Sequence, residues 1–538
     1  MTVGVDGSIG DLSYLAQSPQ VMTKRAPIPV IDLFAGPGGL GEGFSSLVGA
    51  DGARCFEVKV SIEKDEIAHR TLSLRALFRS FPDGKVPDCY YDYVRGKITR
   101  DGLFAHPDVA EHGEQALQEA RCAELGRTPH QTIDAWIRKA VGYASEWALI
   151  GGPPCQAYSL AGRSRLRPKN AEAFESDKRH FLYTEYLRII KLFSPSVFVM
   201  ENVKGMLNSK HGGSPIFDRI LADLRSPGNG STYLVRSLVV DGDEPEPLDY
   251  LIESEKFGVP QCRHRVILFG VRSDVAESIP ASARAGNKFK LKPASRRIAV
   301  EDALSGLPPL RSRLSQKDDS HRLWRSVLKT APESLTLWRM PIRTVIEEAM
   351  SGAWVRAEAY ESPGSRFDAR PIAIGDRLPP ALRKWINDPR LGGVSQHEAR
   401  AHMASDLHRY MFAACFAQAQ GHSPKLHLFP PKLLPAHANM DSEHIPFVDR
   451  FRVQLAGEPS STVVSHICKD GHYFIHPDPA QCRSLTVREA ARLQTFPDSY
   501  FFEGTRTQQY HQVGNAVPPW LARQIAEVVC DFMETARR

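Results

Sequence analysis

The sequence predicts an α/β protein, an open mixed sheet carrying a second, smaller domain, on three observations. An apolar run, Pro29-Val30-Ile31-Asp32-Leu33-Phe34, leads into the glycine-rich stretch Ala35-Gly36-Pro37-Gly38-Gly39-Leu40-Gly41-Glu42-Gly43-Phe44, which reads as strand, tight turn and helix in series. A second run, Trp147-Ala148-Leu149-Ile150, ends in Gly151-Gly152-Pro153-Pro154-Cys155-Gln156; there two prolines fix φ and the glycines let the backbone bend just before them. From about residue 275 to 478 Pro, Arg and His become frequent and regular signals grow short, before strong signals return near the C-terminus.

Composition narrows the class. With 538 residues the chain is long enough for two or more cores. Hydrophobic residues at 42% and charged residues at 24% are ordinary for a globular protein. No apolar run approaches the roughly 20 residues needed to span a bilayer, and Met1 to Gln20 lacks the pattern of a secretory signal. Nine cysteines without a Cys-x-x-Cys pair argue against a zinc ribbon or a disulfide framework, so no metal is expected and a reducing cytoplasm fits. The net charge of +6 suits a polyanionic partner without identifying one.

In chain order, residues 1–25 read as a leader, 26–274 as the first part of the main domain, 275–478 as the second domain and 479–538 as a return to the first. Gly36, Gly38 and Gly41 satisfy G-x-G-x-x-G, so a dinucleotide site is one reading of the turn. The next strand, Val58 to Ile62, closes with Glu63, where a carboxylate can accept hydrogen bonds from both hydroxyls of a ribose. Residues 64–145 are charged and helical in pattern, longer than one βα unit needs, and so hold an insertion. After the cysteine loop, Arg163, Arg165, Arg167 and Lys169 suit phosphate contacts or a solvated loop. A helix from His180 to Phe193 places Tyr183, Tyr186, Ile190 and Phe193 on one face. It leads to the strand Val197 to Met200, which ends in Glu201-Asn202-Val203, a carboxylate placed for general acid work beside the cysteine's strand. Strands follow at Tyr233 to Val240 and Arg265 to Val271. Between them Gln261-Cys262-Arg263-His264-Arg265 puts two arginines at alternating positions, both facing one pocket.

In the second domain, helices near 318–350 and 398–420 read as embellishments. His397, His402, His408, His422, His427, His437 and His444 form no metal set and read as surface or phosphate contacts. The return begins with an N-capped helix ended by proline, Ser484 to Pro497. It ends with Gln512-Val513-Gly514-Asn515-Ala516-Val517-Pro518-Pro519, which opens a helix whose apolar face is Leu521, Ile525, Val528 and Val529.

These segments resemble, in order, the motifs of the cytosine-5 DNA methyltransferases of bacterial restriction-modification type: Asp-Leu-Phe-Ala-Gly-x-Gly-Gly, Pro-Pro-Cys-Gln, Glu-Asn-Val, Gln-x-Arg-x-Arg, Arg-Glu-x-Ala-Arg-Leu-Gln-x-Phe-Pro and Gln-x-Gly-Asn-x-Val-Pro. The resemblance implies an S-adenosylmethionine-dependent, Rossmann-like methyltransferase fold with a target-recognition domain at 275–478. It implies Cys155 as nucleophile, Glu201 on the cytosine N3 edge, and Arg265 on O2 with Arg263 supporting it. The cofactor would be held by Phe34, Ala35, Gly36, Gly38, Gly39, Leu40, Glu63, Pro153, Leu182, Asn515 and Ala516, with Asp92 as the acidic adenine contact expected after the third strand. It further implies duplex DNA with a flipped target base, a companion restriction endonuclease, a monomer, and a place in the bacterial cytoplasm on the nucleoid. Two alternatives stay open: an RNA cytosine-5 methyltransferase, whose Cys-Phe-Thr signature Cys415-Phe416-Ala417 misses by one residue, and a catalytically silent DNA-binding regulator.

Overall fold

The structure, a computed structural model, describes residues 1–2, 26–154, 182–208, 210–211, 214–228, 230–242, 244–284, 287–315, 318–435 and 449–538. Most of the expected leader lies outside the described residues, as does 155–181 with Cys155, Arg163, Arg165, Arg167 and Lys169.

Eight strands form one sheet: β1 (Ile28–Leu33), β2 (Phe56–Glu63), β3 (Ala120–Cys122), β4 (Ala148–Gly151), β5 (Val197–Val203), β6 (Tyr233–Arg236), β7 (Leu251–Glu253) and β8 (His264–Arg272). The order is β3-β2-β1-β4-β5-β8-β6, with β7 also pairing β8. The first five strands are parallel, while β8 is antiparallel to β5, β6 and β7. A parallel sheet covered on both faces reads as near-continuous apolar runs. Accordingly Val30 and Ile31, neighbours in β1, enter different cores. So do Leu149 and Ile150 in β4, and Phe198 and Val199 in β5.

One core packs against α1 (Gly39–Ser45), and α2 (Glu66–Ser80) follows β2. The other core is covered by α3 (His130–Val141), α4 (Leu182–Phe193) and α5 (Ile216–Arg225). The expected insertion comprises helices Asp88–Val94, Arg100–Phe104 and Ala110–Glu119 between α2 and β3. Asp92 therefore lies on a helix and not after the third strand. Its carboxylate is held by Lys97 at 2.9 Å and Arg95 at 3.2 Å, and the expectation that it contacts adenine from a strand end is overturned.

The second domain is built around α6 (His321–Lys329), α7 (Arg343–Arg356) and α8 (Ala404–Gln420). Trp324, Leu328, Ile346, Met350, Met411, Phe412 and Phe416 meet in a single cluster. These helices are the core of the domain, not embellishments on it. The histidine reading also changes. His397 and His402 are buried: His397 bonds Thr486 Oγ1 at 2.9 Å and Pro308 O at 2.8 Å, and His402 bonds Ser484 Oγ at 3.2 Å. Burial draws the His397 pKa down to about 4, so it packs as a neutral ring. The main core also runs past residue 274, because Ala276, Ile279, Phe289 and Leu291 join the cluster of β1.

The chain then returns through α9 (Val487–Leu493), α10 (Arg506–Asn515) and α11 (Pro519–Ala536). Helix α11 lays Leu521, Ala522, Ile525, Val528 and Val529 on α1 and the sheet. The contact is backbone-close: a Cβ on Gly39 would meet Val517 O at 2.2 Å, and one on Gly43 would meet Ala522 Cβ at 2.5 Å. Among the described residues no helix is long and apolar enough to cross a membrane.

The Gly43 approach generates a stability prediction. Gly43→Val should push α11 off α1 and cost about 1–3 kcal/mol, read as a lower denaturant midpoint; an unchanged midpoint would mean the helices can separate freely.

Candidate active site

The strand order reverses between β1 and β4, so the loops leaving their carboxyl ends flank one crevice. From β1 come Phe34, Ala35, Gly36, Gly38, Gly39 and Leu40. Phe34 and Gly36 both take left-handed φ, 56° and 57°, which turns the chain across the strand end. The turn is pinned to β2: Ala35 N–H donates to Ile62 O at 3.0 Å and Gly36 N–H to Glu63 Oε2 at 2.8 Å. Glu63 Oε1 accepts the Asp65 N–H at 2.8 Å. Burial pushes the Glu63 pKa up, and these backbone donors oppose it. Among the described residues no atom lies within 4 Å of where a Cβ on Gly36 would sit. A glycine backbone open to a ligand, with a carboxylate fixed next to it, suits a nucleoside that presents a ribose diol.

Asn515 and Ala516 immediately precede Val517, whose carbonyl packs against the glycine turn. Asn515 Nδ2 meets His511 Nε2 at 3.0 Å, and Val517 O covers Gly39. Tyr500, which sequence reasoning did not single out, hydrogen-bonds Pro37 O. Leu182 begins α4 and touches the turn after β3, its Cδ2 3.8 Å from a Cβ position on Gly126.

The loop from β4 meets β5. Tyr186 of α4, fully buried, donates to Leu149 O at 3.2 Å or Val199 O at 3.0 Å, holding the two strands in step. A Cβ on Gly152 would lie 2.8 Å from Glu201 Oε2. Asn202 Nδ2 donates to Pro153 O at 3.3 Å. Gly152 and Asn202 were not among the candidates, and the only signal for them was adjacency to Cys155 and Glu201. Glu201 Oε1 forms an ion pair with Arg265 Nε at 2.8 Å, each side chain 14% exposed. Burial lowers the Arg265 pKa and the Glu201 charge opposes that. Arg263 does not join this pair by hydrogen bond. Its guanidinium donates to Val463 O and Gly514 O instead.

The crevice thus gathers the glycine turn, the Glu63 carboxylate and the Glu201–Arg265 pair at the switch point of the sheet. Comparison with known proteins decides its chemistry. The profile of the C-5 cytosine-specific DNA methylases matches residues 144–530. The chain belongs to that family. It is 32% identical over 519 residues to the type II methyltransferase M.Bpa9945I of Bacillus paralicheniformis, covering 94% of this chain and 99% of that protein. It is 27% identical over 531 residues to the type II methyltransferase M.AgeI of Thalassovita gelatinovora, covering 93% and 98%. A solved DNA modification methyltransferase encoded within a prophage of E. coli shares the fold, with a TM-score of 0.50 at 19% identity over 94% of this chain and 99% of that one. The enzyme is thus a cytosine-5 DNA methyltransferase with DNA as its substrate, and neither alternative activity is favoured.

Two predictions follow from the crevice. In this methyltransferase Gly152→Ala should displace the Glu201 carboxylate, lowering methylation on the order of 10²-fold with little change in melting temperature; full activity would show the carboxylate can give way. The second concerns Asp32, fully buried in β1, for which the Gly41 backbone N–H is the one nearby donor among the described residues and lies outside good hydrogen-bond geometry. Burial pushes its pKa up from 3.8 to about 8, and Arg79 opposes this only in part. The folded state then keeps a proton that the unfolded state has lost, so this group makes stability fall as pH rises through that window. Asp32→Asn should remove the slope, and its stability advantage over the parent should widen from pH 5 to 8. A gap constant with pH would overturn the assignment.

Proposed function

We propose that this methyltransferase takes its methyl group from S-adenosylmethionine and places it on C5 of a cytosine flipped out of a specific duplex DNA sequence, through covalent addition by Cys155. The observation that carries the reading is the Glu201–Arg265 ion pair standing against Gly152, three residues before Cys155, across the switch point from the glycine turn. Phe34, Ala35, Gly36, Gly38, Gly39, Leu40, Glu63, Pro153, Leu182, Asn515 and Ala516 would hold the cofactor, and the open backbone at Gly36 beside the Glu63 carboxylate fits it. When bound, the cofactor supplies an electrophilic sulfonium methyl group.

The protein's residues address the other difficulty, that C5 of cytosine is a poor nucleophile. The Cys155 thiolate adds to C6, breaks the aromaticity of the ring and leaves C5 enamine-like. Glu201 hydrogen-bonds the N3 and exocyclic amine edge and favours protonation at N3 as the adduct forms. Arg265 binds O2 and stabilises the negative charge that develops there. Loss of the C5 proton and expulsion of Cys155 restore the aromatic ring. Because C6 is inaccessible in a stacked pair, the base must leave the helix first. Residues 275–478 read the surrounding sequence, and the enzyme works as a monomer in the cytoplasm, on the nucleoid when bound. The type II names of its relatives support a role in protecting DNA from a companion restriction endonuclease.

The test is covalent trapping. Duplex DNA carrying 5-fluorocytosine at the target should form a denaturation-resistant adduct with the parent enzyme and S-adenosylmethionine, and none with Cys155→Ser. An undiminished adduct from the serine variant would remove Cys155 from the nucleophile role.

A further inference from the structure

A buried arginine with no hydrogen-bonded carboxylate stands between the Glu201–Arg265 pair and the C-terminal turn. Arg263 is 2% exposed. Its Nη1 donates to Val463 O at 2.8 Å and to Gly514 O at 3.2 Å, and its Nη2 donates to Gly514 O at 3.2 Å. Its Nε has no hydrogen-bond partner among the described residues. A guanidinium hydrogen-bonded only to neutral carbonyls is an expensive way to pin a loop, because the nearby Glu201 charge offsets its desolvation only in part. Neutral amides do the same work close by: Gln261 Oε1 accepts the Val463 N–H at 2.7 Å, and Gln494 Nε2 donates to Val513 O at 2.7 Å. A need to hold backbone therefore does not by itself account for a charge at position 263.

The local chain explains how the side chain gets there. The Arg263 N–H turns back to Gln261 O at 2.9 Å and to Ser254 Oγ at 3.1 Å. This breaks the extended alternation just before β8 and sends Arg263 away from the line of Arg265. At the far end the fit is rigid. A Cβ on Gly514 would lie 2.4 Å from the backbone of Val464 and Ser465. Arg263, the 463–465 backbone and the turn at Gly514-Asn515 therefore move together or not at all. Two residues along the chain from this clamp, Arg265 grips Glu201.

We propose that Arg263 is a positioning residue that couples the two substrate pockets, fixing the Gly514-Asn515 end of α10, on the cofactor side, relative to the Glu201–Arg265 pair of the base side. This rests on the reading of Asn515 as a cofactor contact. Arg263 touches neither substrate. It sets the distance between the groups that do, so that closing the turn over one ligand settles the start of β8 for the other.

The experiment uses the full chain and four variants: Arg263→Met, Arg263→Lys, Asn515→Ala and the double variant Arg263→Met with Asn515→Ala. Each is checked for melting temperature, then titrated calorimetrically with S-adenosylmethionine, with and without duplex DNA containing the target. Loss of charge-assisted hydrogen bonds should weaken cofactor binding about tenfold in Arg263→Met. The double variant should bind no more weakly than Asn515→Ala alone, since both changes act on one turn. The enhancement of cofactor binding by DNA should shrink in Arg263→Met and return in part in Arg263→Lys, whose ammonium can still reach a carbonyl. If the methionine variant does not fold, the lysine variant carries the test through its smaller loss of enhancement. Cofactor affinity and DNA enhancement both equal to the parent's, or losses that simply add in the double variant, would overturn the proposal. An Asn515→Ala variant with unchanged affinity would instead remove the reading on which the proposal rests.

Discussion

Around helix α9 three guanidiniums are buried where water does not reach, and each must find its acceptors on a different part of the chain. Arg483 makes two 2.7 Å bonds to Glu489. Burial alone would raise the Glu489 pKa, yet the Arg483 charge holds it well below the usual carboxylate range. Arg488 reaches Ser395 Oγ at 2.8 Å, Ser395 O at 3.0 Å, Pro497 O at 3.1 Å and Tyr500 O at 2.8 Å. Arg492 binds both oxygens of Asp498, at 2.9 and 2.8 Å, and Ser305 O at 2.8 Å. These acceptors lie in α9 itself (Glu489), at Ser305, in the strand Val394–Glu398 (Ser395) and in the segment after α9. Satisfying three charges therefore helps fix how the second domain sits against the rest of the chain. Leaving any one unpaired would cost about 3–5 kcal/mol, so the junction has one arrangement. Tyr500 carries that arrangement to the glycine turn by its bond to Pro37 O.

The parts of the molecule legible in the sequence are those where chemistry restricts the residue type locally. The glycine turn, the strand carrying Glu201 and the capped helix α9 were each readable because backbone geometry, a buried apolar run or a cap demands particular side chains within a few positions. Asp92 failed because the third strand is three residues long and carries no pattern of its own. The acid was matched to a motif order that the insertion had displaced. The helices of the second domain failed differently: Trp324, Ile346 and Phe412 lie in separate helices whose apolar faces make sense only against one another. Local sequence showed each face and not its partner.

Histidine and arginine show the same limit at single residues. His397 is satisfied by Thr486 and Pro308, both 89 positions away, and nothing near it in sequence separates it from exposed His427. Arg263 and Arg265 alternate as strand residues should, but the reverse turn from Arg263 N–H to Gln261 O comes one residue before β8 begins. Two-residue periodicity holds only inside a strand, so two arginines two apart serve different neighbours.

The crevice is where the fold departs from local preference. Phe34 holds a left-handed φ of 56°, a conformation worth about 1–3 kcal/mol of strain in a non-glycine residue. Asp32, two residues earlier, buries a carboxyl with no well-formed hydrogen bond among the described residues. Both are tolerated because β1 is clamped on each side by β2 and β4, and because α11 presses on α1 through contacts that admit no side chain at Gly39 or Gly43. Strain at Phe34 turns its peptide groups across the strand end, and the Gly36 N–H then reaches Glu63. The C-terminal segment thus contributes to the geometry of the first loop: α11 packs on α1, and Tyr500 bonds Pro37 O within the turn. This explains why a chain that leaves the sheet at β8 for some two hundred residues comes back to finish on its first helix.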